Sequence, residues 1–397
     1  MKIQKTKTIS NLFFLFFNRV NLIVLCAFLL GSFNVLAQYK INKFADVDNI
    51  IETAISDSSF PGAVLLVQMN GKIIHEKAYG NYTYDPASGN ISLHSMFDLA
   101  SCTKVVATTT AAMICFDRGL FKLDDKVSEY LPQFAKNGKK NITIRNLLAH
   151  DSGLPPDIKS YKIYNPNENK TYEIMNEIFN DSLLYLTGTK SVYSDLNFII
   201  LGKIIEKVTG TSLDKFCQKN IFKPLKMNST MFNPPASLMN RIVPTEIDNY
   251  WRFRLIRGTV HDETAQLLGG VAGHAGLFST AGDIAKLLQM LLQKGRYKGK
   301  NYIRKSTVEM FTKKQSDLSS RALGWDTKSP ENSSAGHLFS NLSYGHTGFT
   351  GTSIWVDPVR NLFVVFLTNR VYPSRNNLKI LKVRPLVHDS IMKSLNF

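Results

Sequence analysis

The chain has 397 residues, of which 44% are hydrophobic and 11% aromatic, enough apolar surface for one large domain or two lobes on a shared core. Its formal net charge is +17, but the cations are dispersed through a Lys- and Asn-rich composition. No nucleic-acid partner is therefore expected, only a weak attraction to anionic wall or membrane surfaces. Of the four cysteines, Cys26 lies in the apolar N-terminal stretch; the other three, Cys102, Cys115 and Cys217, are odd in number and lack metal-like spacing, so neither a disulfide framework nor a structural zinc site is implied.

Residues 1–37 carry Lys2, Lys5, Lys7 and Arg19 with no acid, then the apolar run Leu22 to Leu30 and Val35-Leu36-Ala37. This pattern predicts a signal peptide cut after Ala37, and so a periplasmic or secreted protein with net charge +13 once those four cations leave. An uncleaved anchor is the alternative. Lipidation at Cys26 is disfavoured because bulky Leu25 precedes it.

Lys43 to Ser56 has helical periodicity and is stopped by Pro61-Gly62. Ala63 to Met69 and Lys72 to Tyr79 flank Asn70-Gly71, two residues that tolerate positive φ, which predicts a β-hairpin. From Ser101 to about Asn220 the pattern is mainly helical: Ser101 to Arg118, Ile144 to Ala149, Tyr172 to Asn180 and Leu196 to Val208. Trp251 to Arg257 alternates cations with apolar residues and reads as a half-buried edge strand. A helix from Ala281 to Leu292 follows a glycine-rich stretch. Ser353 to Val356 and Leu362 to Leu367 are strands around Asp357-Pro358, and a helix near Val387 to Leu395 closes the chain. Strands at both ends with helices between them predict an α+β domain over residues 38–397. Its antiparallel sheet would be flanked by N- and C-terminal helices, with an inserted helical lobe. The α/β lobe takes about 38–100 and 260–397, the helical lobe about 101–259, and the site is expected in the cleft.

The strongest chemical signal is Ser101-Cys102-Thr103-Lys104. A hydroxyl and an amine one helical turn apart suit a serine acyl-transfer enzyme that uses lysine as its base. Ser212 to Lys215 and Ser390 to Lys393 share the spacing, but the first begins at a helix N-cap and the second lies on a solvated helical face. Only Ser101 to Lys104 is followed by small and apolar residues, Val105 to Cys115, which are expected to bury Lys104 and lower its pKa. Two further elements come later: Tyr193-Ser194-Asp195 before a helix, and His346-Thr347-Gly348 before the paired strands. Each alone also reads as an N-cap or a turn; the ordered set carries the argument.

In that order the three elements resemble the serine β-lactamase and penicillin-binding-protein superfamily, in its class C-like and esterase branch, over nearly the whole mature chain. Gly119 to Asp125, Leu147 to Leu154 and Ile199 to Glu206 support the likeness. The resemblance implies Ser101 as nucleophile, with Lys104 and Tyr193 sharing general-base and general-acid roles and the ammonium favouring tyrosinate character. It implies an oxyanion hole of the Ser101 and Phe349 backbone N–H groups, close backbone approach at Gly348 and Gly351, and substrate contacts from Asp195, His346, Thr347 and Gly348. Class C β-lactamases have asparagine at the Asp195 position and lysine at the His346 position, where the lysine helps to hold the substrate carboxylate. An acid and a mostly neutral imidazole weaken the case for β-lactams, and no glutamate motif of the class A type is found.

Val260-His261-Asp262, the stretch Gly269 to Thr280, and Thr368 to Pro373 resemble exported hydrolases that include exo-acting N-acetylmuramyl-L-alanine amidases and penicillin-binding-protein-like carboxypeptidases. His274 has two readings, a binding imidazole over the cleft or a residue packed under a tight turn. His261, Asp262 and His274 are not expected to bind metal, and no cofactor is implied. The expected function is hydrolysis of a peptidoglycan-derived amide by a monomeric serine hydrolase, foremost the N-acetylmuramyl-L-alanine bond. The alternatives are an esterase, a D-alanyl-D-alanine carboxypeptidase or β-lactamase-like enzyme, and a catalytically silent receptor for wall fragments.

Overall fold

The computed structural model describes residues 42–397, so the expected signal peptide over residues 1–37 lies outside the described residues. Helix α1 (Ala45–Ser56) buries Val47, Ile51 and Ala54 along one stripe. Strands β1 (Gly62–Met69) and β2 (Lys72–Gly80) pair antiparallel across a turn at Asn70 and Gly71. Those two residues sit at φ 52° and 79°, the left-handed conformation that Asn and Gly accept at least cost. Tyr79 of β2 donates a hydrogen bond to Asp48 of α1 at 2.6 Å, tying this helix to the sheet.

The short strand β3 (Phe97–Asp98) leads into the segment expected as one helix from Ser101 to Arg118. The backbone is helical there but not uniform. Ala100–Cys102 is a 3-10 turn, Lys104–Thr109 is a wide π-type turn, and only α2 (Thr110–Asp117) is regular. Two threonines explain part of this, because their hydroxyls donate to backbone carbonyls: Thr110 Oγ1 to Val105 O at 2.8 Å and Thr108 Oγ1 to Gly273 O at 2.6 Å. Wide turns of this type concentrate at functional sites.

The helical part continues with α3 (Ile144–Ala149), α4 (Thr171–Asn180) and α5 (Asp195–Thr209). Gly210 ends α5 at φ 63°. Strand β4 (Met231–Phe232), helix α6 (Glu263–Leu267), strand β5 (Leu277–Ser279) and helix α7 (Ala281–Leu292) follow. Trp251 to Arg257 is not the long edge strand expected. Only Arg254–Leu255 is a strand, paired with Ile247–Asp248, because Trp251 and Arg252 turn inward to bond Tyr164 O and His261 O.

Strands β6 (Asp326–Thr327), β7 (Tyr344–Thr347), β8 (Ser353–Asp357) and β9 (Leu362–Thr368) complete the main sheet, and α8 (Ile380–Ser394) closes the chain. The sheet has six strands in the order β6-β7-β8-β9-β1-β2, every neighbour antiparallel. Ala63 of β1 faces Thr368 of β9, so segments about 300 residues apart in the chain are joined by backbone hydrogen bonds. All seven residues of β9 are buried, as expected of a strand covered on both faces. One apolar cluster runs from Val64 and Leu66 on the sheet through Val105, Leu148 and Ile200 on the helices to Leu367. The sheet and the helices share this core. Burying each such side chain contributes about 1.5–3 kcal/mol.

Among the described residues no helix is long and apolar enough to cross a membrane.

Candidate active site

Ser101 follows a turn that alanine would not choose. Ala100 has φ 45°, a left-handed conformation disfavoured for any residue with a Cβ. The turn is held from several sides. Asp98 Oδ1 accepts from the Ala100 N–H at 2.8 Å, and its Oδ2 accepts from the His261 N–H at 2.7 Å. Thr350 Oγ1 donates to Asp98 O at 2.7 Å and Thr352 Oγ1 to Leu99 O at 2.9 Å. A local conformation that costs energy and is over-determined by its surroundings fits a side chain held for chemistry.

Lys104 is completely buried, as the apolar residues after it predict. Its Nζ donates to Ser101 Oγ at 3.1 Å, to Asp195 Oδ1 at 2.6 Å and to the His274 carbonyl at 3.1 Å. The expected pKa shift is corrected by these partners. Burial alone lowers the lysine, but the Asp195 carboxylate and then Tyr193 outweigh it, and Lys104 is held above the usual lysine range. Asp195, expected against the substrate, faces Lys104 from the first turn of α5.

Tyr193 packs over the ammonium, with Lys104 Nζ 4.9 Å from its ring centre. Its hydroxyl is buried without a hydrogen bond of good geometry, within electrostatic reach of Lys104 and Ser101. Burial raises the phenol's pKa and the ammonium only partly opposes it, so the resting side chain is a neutral phenol rather than the tyrosinate implied by the resemblance. His150, which the sequence signals only as part of a helix end, positions this residue. It is fully buried at φ 56°, stacks on the Tyr193 ring at 4.7 Å, and its Nδ1 accepts from the Ser194 N–H at 3.1 Å. Burial, then Arg321 and Lys104, keep its imidazole neutral.

Ser101, Tyr193, His346, Thr347, Gly348 and Phe349 line one pocket of about 320 Å³. His346 and Thr347 lie inside β7, so the strand reaches further than the paired strands expected from the sequence. Burial and then the charges of Arg321 and Lys104 drive His346 well below its ordinary pKa. Its Nδ1 donates to the Thr347 carbonyl at 2.8 Å, which leaves Nε2 as an unprotonated lone pair. The Phe349 ring is stacked on His261 at 5.6 Å and lies under the Arg370 guanidinium at 4.3 Å. Behind this loop Arg370 Nε donates to Phe349 O at 2.7 Å, and Arg384 Nη2 to Gly348 O and Thr352 O, both at 3.0 Å.

His274 does not line that pocket. Its imidazole is buried, with Nε2 bonded to Asp262 Oδ1 at 2.8 Å, and the loop around it packs on α5 so closely that a Cβ at Gly273 would sit 1.9 Å from Phe198 O. Of the two readings for this loop, the geometry matches the packed one. Asp195, Asp262 and His274 bring one donor atom each within 4.8 Å of one another, and the Lys104 ammonium already balances this group. Asp157 is a further carboxyl beside it. Burial, then Asp262 and Asp195, push its pKa up to about 7. Of the two competing Ser-x-x-Lys stretches, Ser212 stands at a helix N-cap position as expected, though its hydroxyl makes no capping hydrogen bond, whereas Ser390 is buried in α8 rather than solvated. Neither lines this pocket.

The family model for beta-lactamase matches residues 47–385. The chain is 38% identical over 371 residues to the N-acetylmuramyl-L-alanine amidase of Bacillus subtilis (strain 168), covering 84% of this chain and 82% of that protein. It is 32% identical over 370 residues to an Escherichia coli (strain K12) protein named "Putative D-alanyl-D-alanine carboxypeptidase", covering 84% of each. In fold it is similar to a class C beta lactamase from Rhodobacter sphaeroides, with a TM-score of 0.69 at 21% identity over 88% of this chain and 99% of that one. The strained serine turn, the buried lysine beside it and the six-stranded sheet that backs them are thus those of a serine hydrolase that belongs to the beta-lactamase family.

Proposed function

We propose that this protein is an exported amidase that cleaves the bond between the muramic acid lactyl group and L-alanine in peptidoglycan fragments, through an acyl-enzyme on Ser101. The contact that carries the reading is Ser101 Oγ to Lys104 Nζ, 3.1 Å, at the floor of a pocket closed by Tyr193 and the Gly348–Phe349 backbone. The extensive likeness to a relative named as an amidase supports the choice of bond. The basic, acid-free start of the chain supports export.

The scheme begins from the minor, unprotonated form of Lys104 and from Tyr193 in its resting, protonated form. The amine form of Lys104 takes the Ser101 proton as Oγ attacks the substrate carbonyl. The Ser101 and Phe349 N–H groups stabilise the oxyanion. Tyr193, which keeps its proton at rest, hands it to the departing nitrogen and is reprotonated by the Lys104 ammonium. Water then releases the acyl group by the same route in reverse.

The test is mass spectrometry of a defined muropeptide mixture incubated with the protein, with Ser101→Ala as control. Free sugar acid and intact peptide are the expected products. Release of a terminal alanine instead would make the enzyme a carboxypeptidase, and untouched muropeptides would overturn the amide reading.

The Lys104–Asp195 pair also sets the expected pH dependence. Because Asp195 holds the lysine above its usual range, the amine form is scarce at neutral pH and acylation should rise with pH up to the alkaline limit of stability. In Asp195→Asn burial is left to dominate, Lys104 falls, and the alkaline limb should move to lower pH by about one unit or more. An unchanged limb in stopped-flow acylation would show that Lys104 is not the base. Asp157→Asn tests for a separate limb near its pKa of about 7.

A further inference from the structure

Three guanidinium groups line the Ser101 pocket, and they are not equivalent. Arg384 is committed to the carbonyls of Gly348 and Thr352, and Arg370 to those of Phe349, Arg375 and Asn377 at 2.7, 2.9 and 2.8 Å. Both brace the loop that carries the Phe349 N–H. The Arg321 guanidinium has no ion pair and no hydrogen bond among the described residues. It rests on the Tyr193 ring, 5.3 Å from its centre. Asp326 lines the same pocket, yet its Oδ1 accepts from Ser320 Oγ at 2.6 Å and it forms no ion pair with Arg321. A half-buried, unpaired cation inside a pocket is a vacancy for an anion.

The neighbouring strand cannot fill that role. The resemblance places a carboxylate-holding lysine at position 346, but this chain has a neutral histidine there whose Nδ1–H is bound to Thr347 O and whose Nε2 is buried. Such an imidazole offers a carboxylate neither a positive charge nor a free N–H. Position relative to the reaction is decided by Tyr193. The group that protonates the leaving nitrogen faces the amine half of the substrate, and Arg321 lies against that same ring.

We infer that Arg321 is the anion anchor of the active site, binding a carboxylate carried by the amine half of a peptide substrate. The inference rests on the amide-hydrolase reading for which half of the substrate it contacts. The carboxylate can be the chain end or an acidic side chain; both make the bidentate pair that a planar guanidinium favours over an ammonium.

The test is calorimetric titration of the full chain carrying Ser101→Ala, which binds without turnover, so a failed muropeptide digestion leaves this result independent. The probes are L-alanyl-D-glutamate, its two monoamides and its diamide. At least one acid should bind about tenfold more tightly than the diamide, and the monoamides show which carboxylate is held. Adding Arg321→Gln should bring the ratio to about one, and Arg321→Lys should restore part of it with a steeper loss in salt. Near-UV circular dichroism checks that each variant is folded, and Arg321→Lys serves as the test if the Gln variant is not. Equal affinities for acid and diamide, no binding of any form, or a ratio that survives Arg321→Gln would overturn the inference.

Discussion

Replacing Lys104 by methionine should lower kcat by about two to four orders of magnitude while the protein still unfolds cooperatively. Methionine keeps most of the buried volume, so no large cavity opens at a position that is fully buried. Three acceptors lose their donor: Ser101 Oγ, Asp195 Oδ1 and His274 O. Asp195 is left as an uncompensated carboxylate, which costs stability, although its side chain remains 19% exposed and can recruit water. The double variant Lys104→Met/Asp195→Asn separates the two effects. It should recover much of the lost melting temperature and none of the lost turnover. Recovery of turnover in the double variant, or near-normal kcat in the single one, would remove Lys104 from the mechanism.

A Gly348→Ala variant should lose about 10²–10³ in kcat with KM little changed. The Cβ would lie 2.1 Å from Thr352 Oγ1 and 2.4 Å from the Leu99 carbonyl, and the second is backbone that cannot rotate away. Relief requires the Gly348–Phe349 loop to move off the turn before Ser101, which breaks the Thr352–Leu99 hydrogen bond and displaces the Phe349 N–H. In the proposed mechanism that N–H stabilises charge that develops only at the tetrahedral stage, so the loss is expected there. A change in KM alone, measured with a soluble amide substrate, would mean that the loop binds substrate but does not stabilise the oxyanion.

Features built from neighbouring residues are legible in the amino-acid sequence. The hairpin at Asn70-Gly71 needs only two residues that accept positive φ, and both have it. The Ser101–Lys104 contact needs only a helical rise between them, and the 3-10 and π turns that replace a regular helix preserve it. Other features carry no local signal. The strand Asp326–Thr327 is too short to show a period of two. Ala100 gives no hint of its left-handed backbone, which comes from contacts with Asp98 and, through Leu99, with Thr352. Arg321 belongs to no motif, and only its place in the Ser101 pocket, with its guanidinium unpaired, singles it out.

The order of the serine-lysine, tyrosine and histidine-threonine-glycine elements is written in the chain, and with it the α+β class and the expectation that all three meet in one cleft. The charge state of that cleft is not written there; it emerges from the packing. Whether a buried lysine is an amine or an ammonium depends on what lies within a few ångströms, and here that is Asp195, 91 positions away in the chain. Burial is a property of composition and can be anticipated from an apolar run; the sign of a pKa shift depends on the vector between two charges, which only the folded chain supplies.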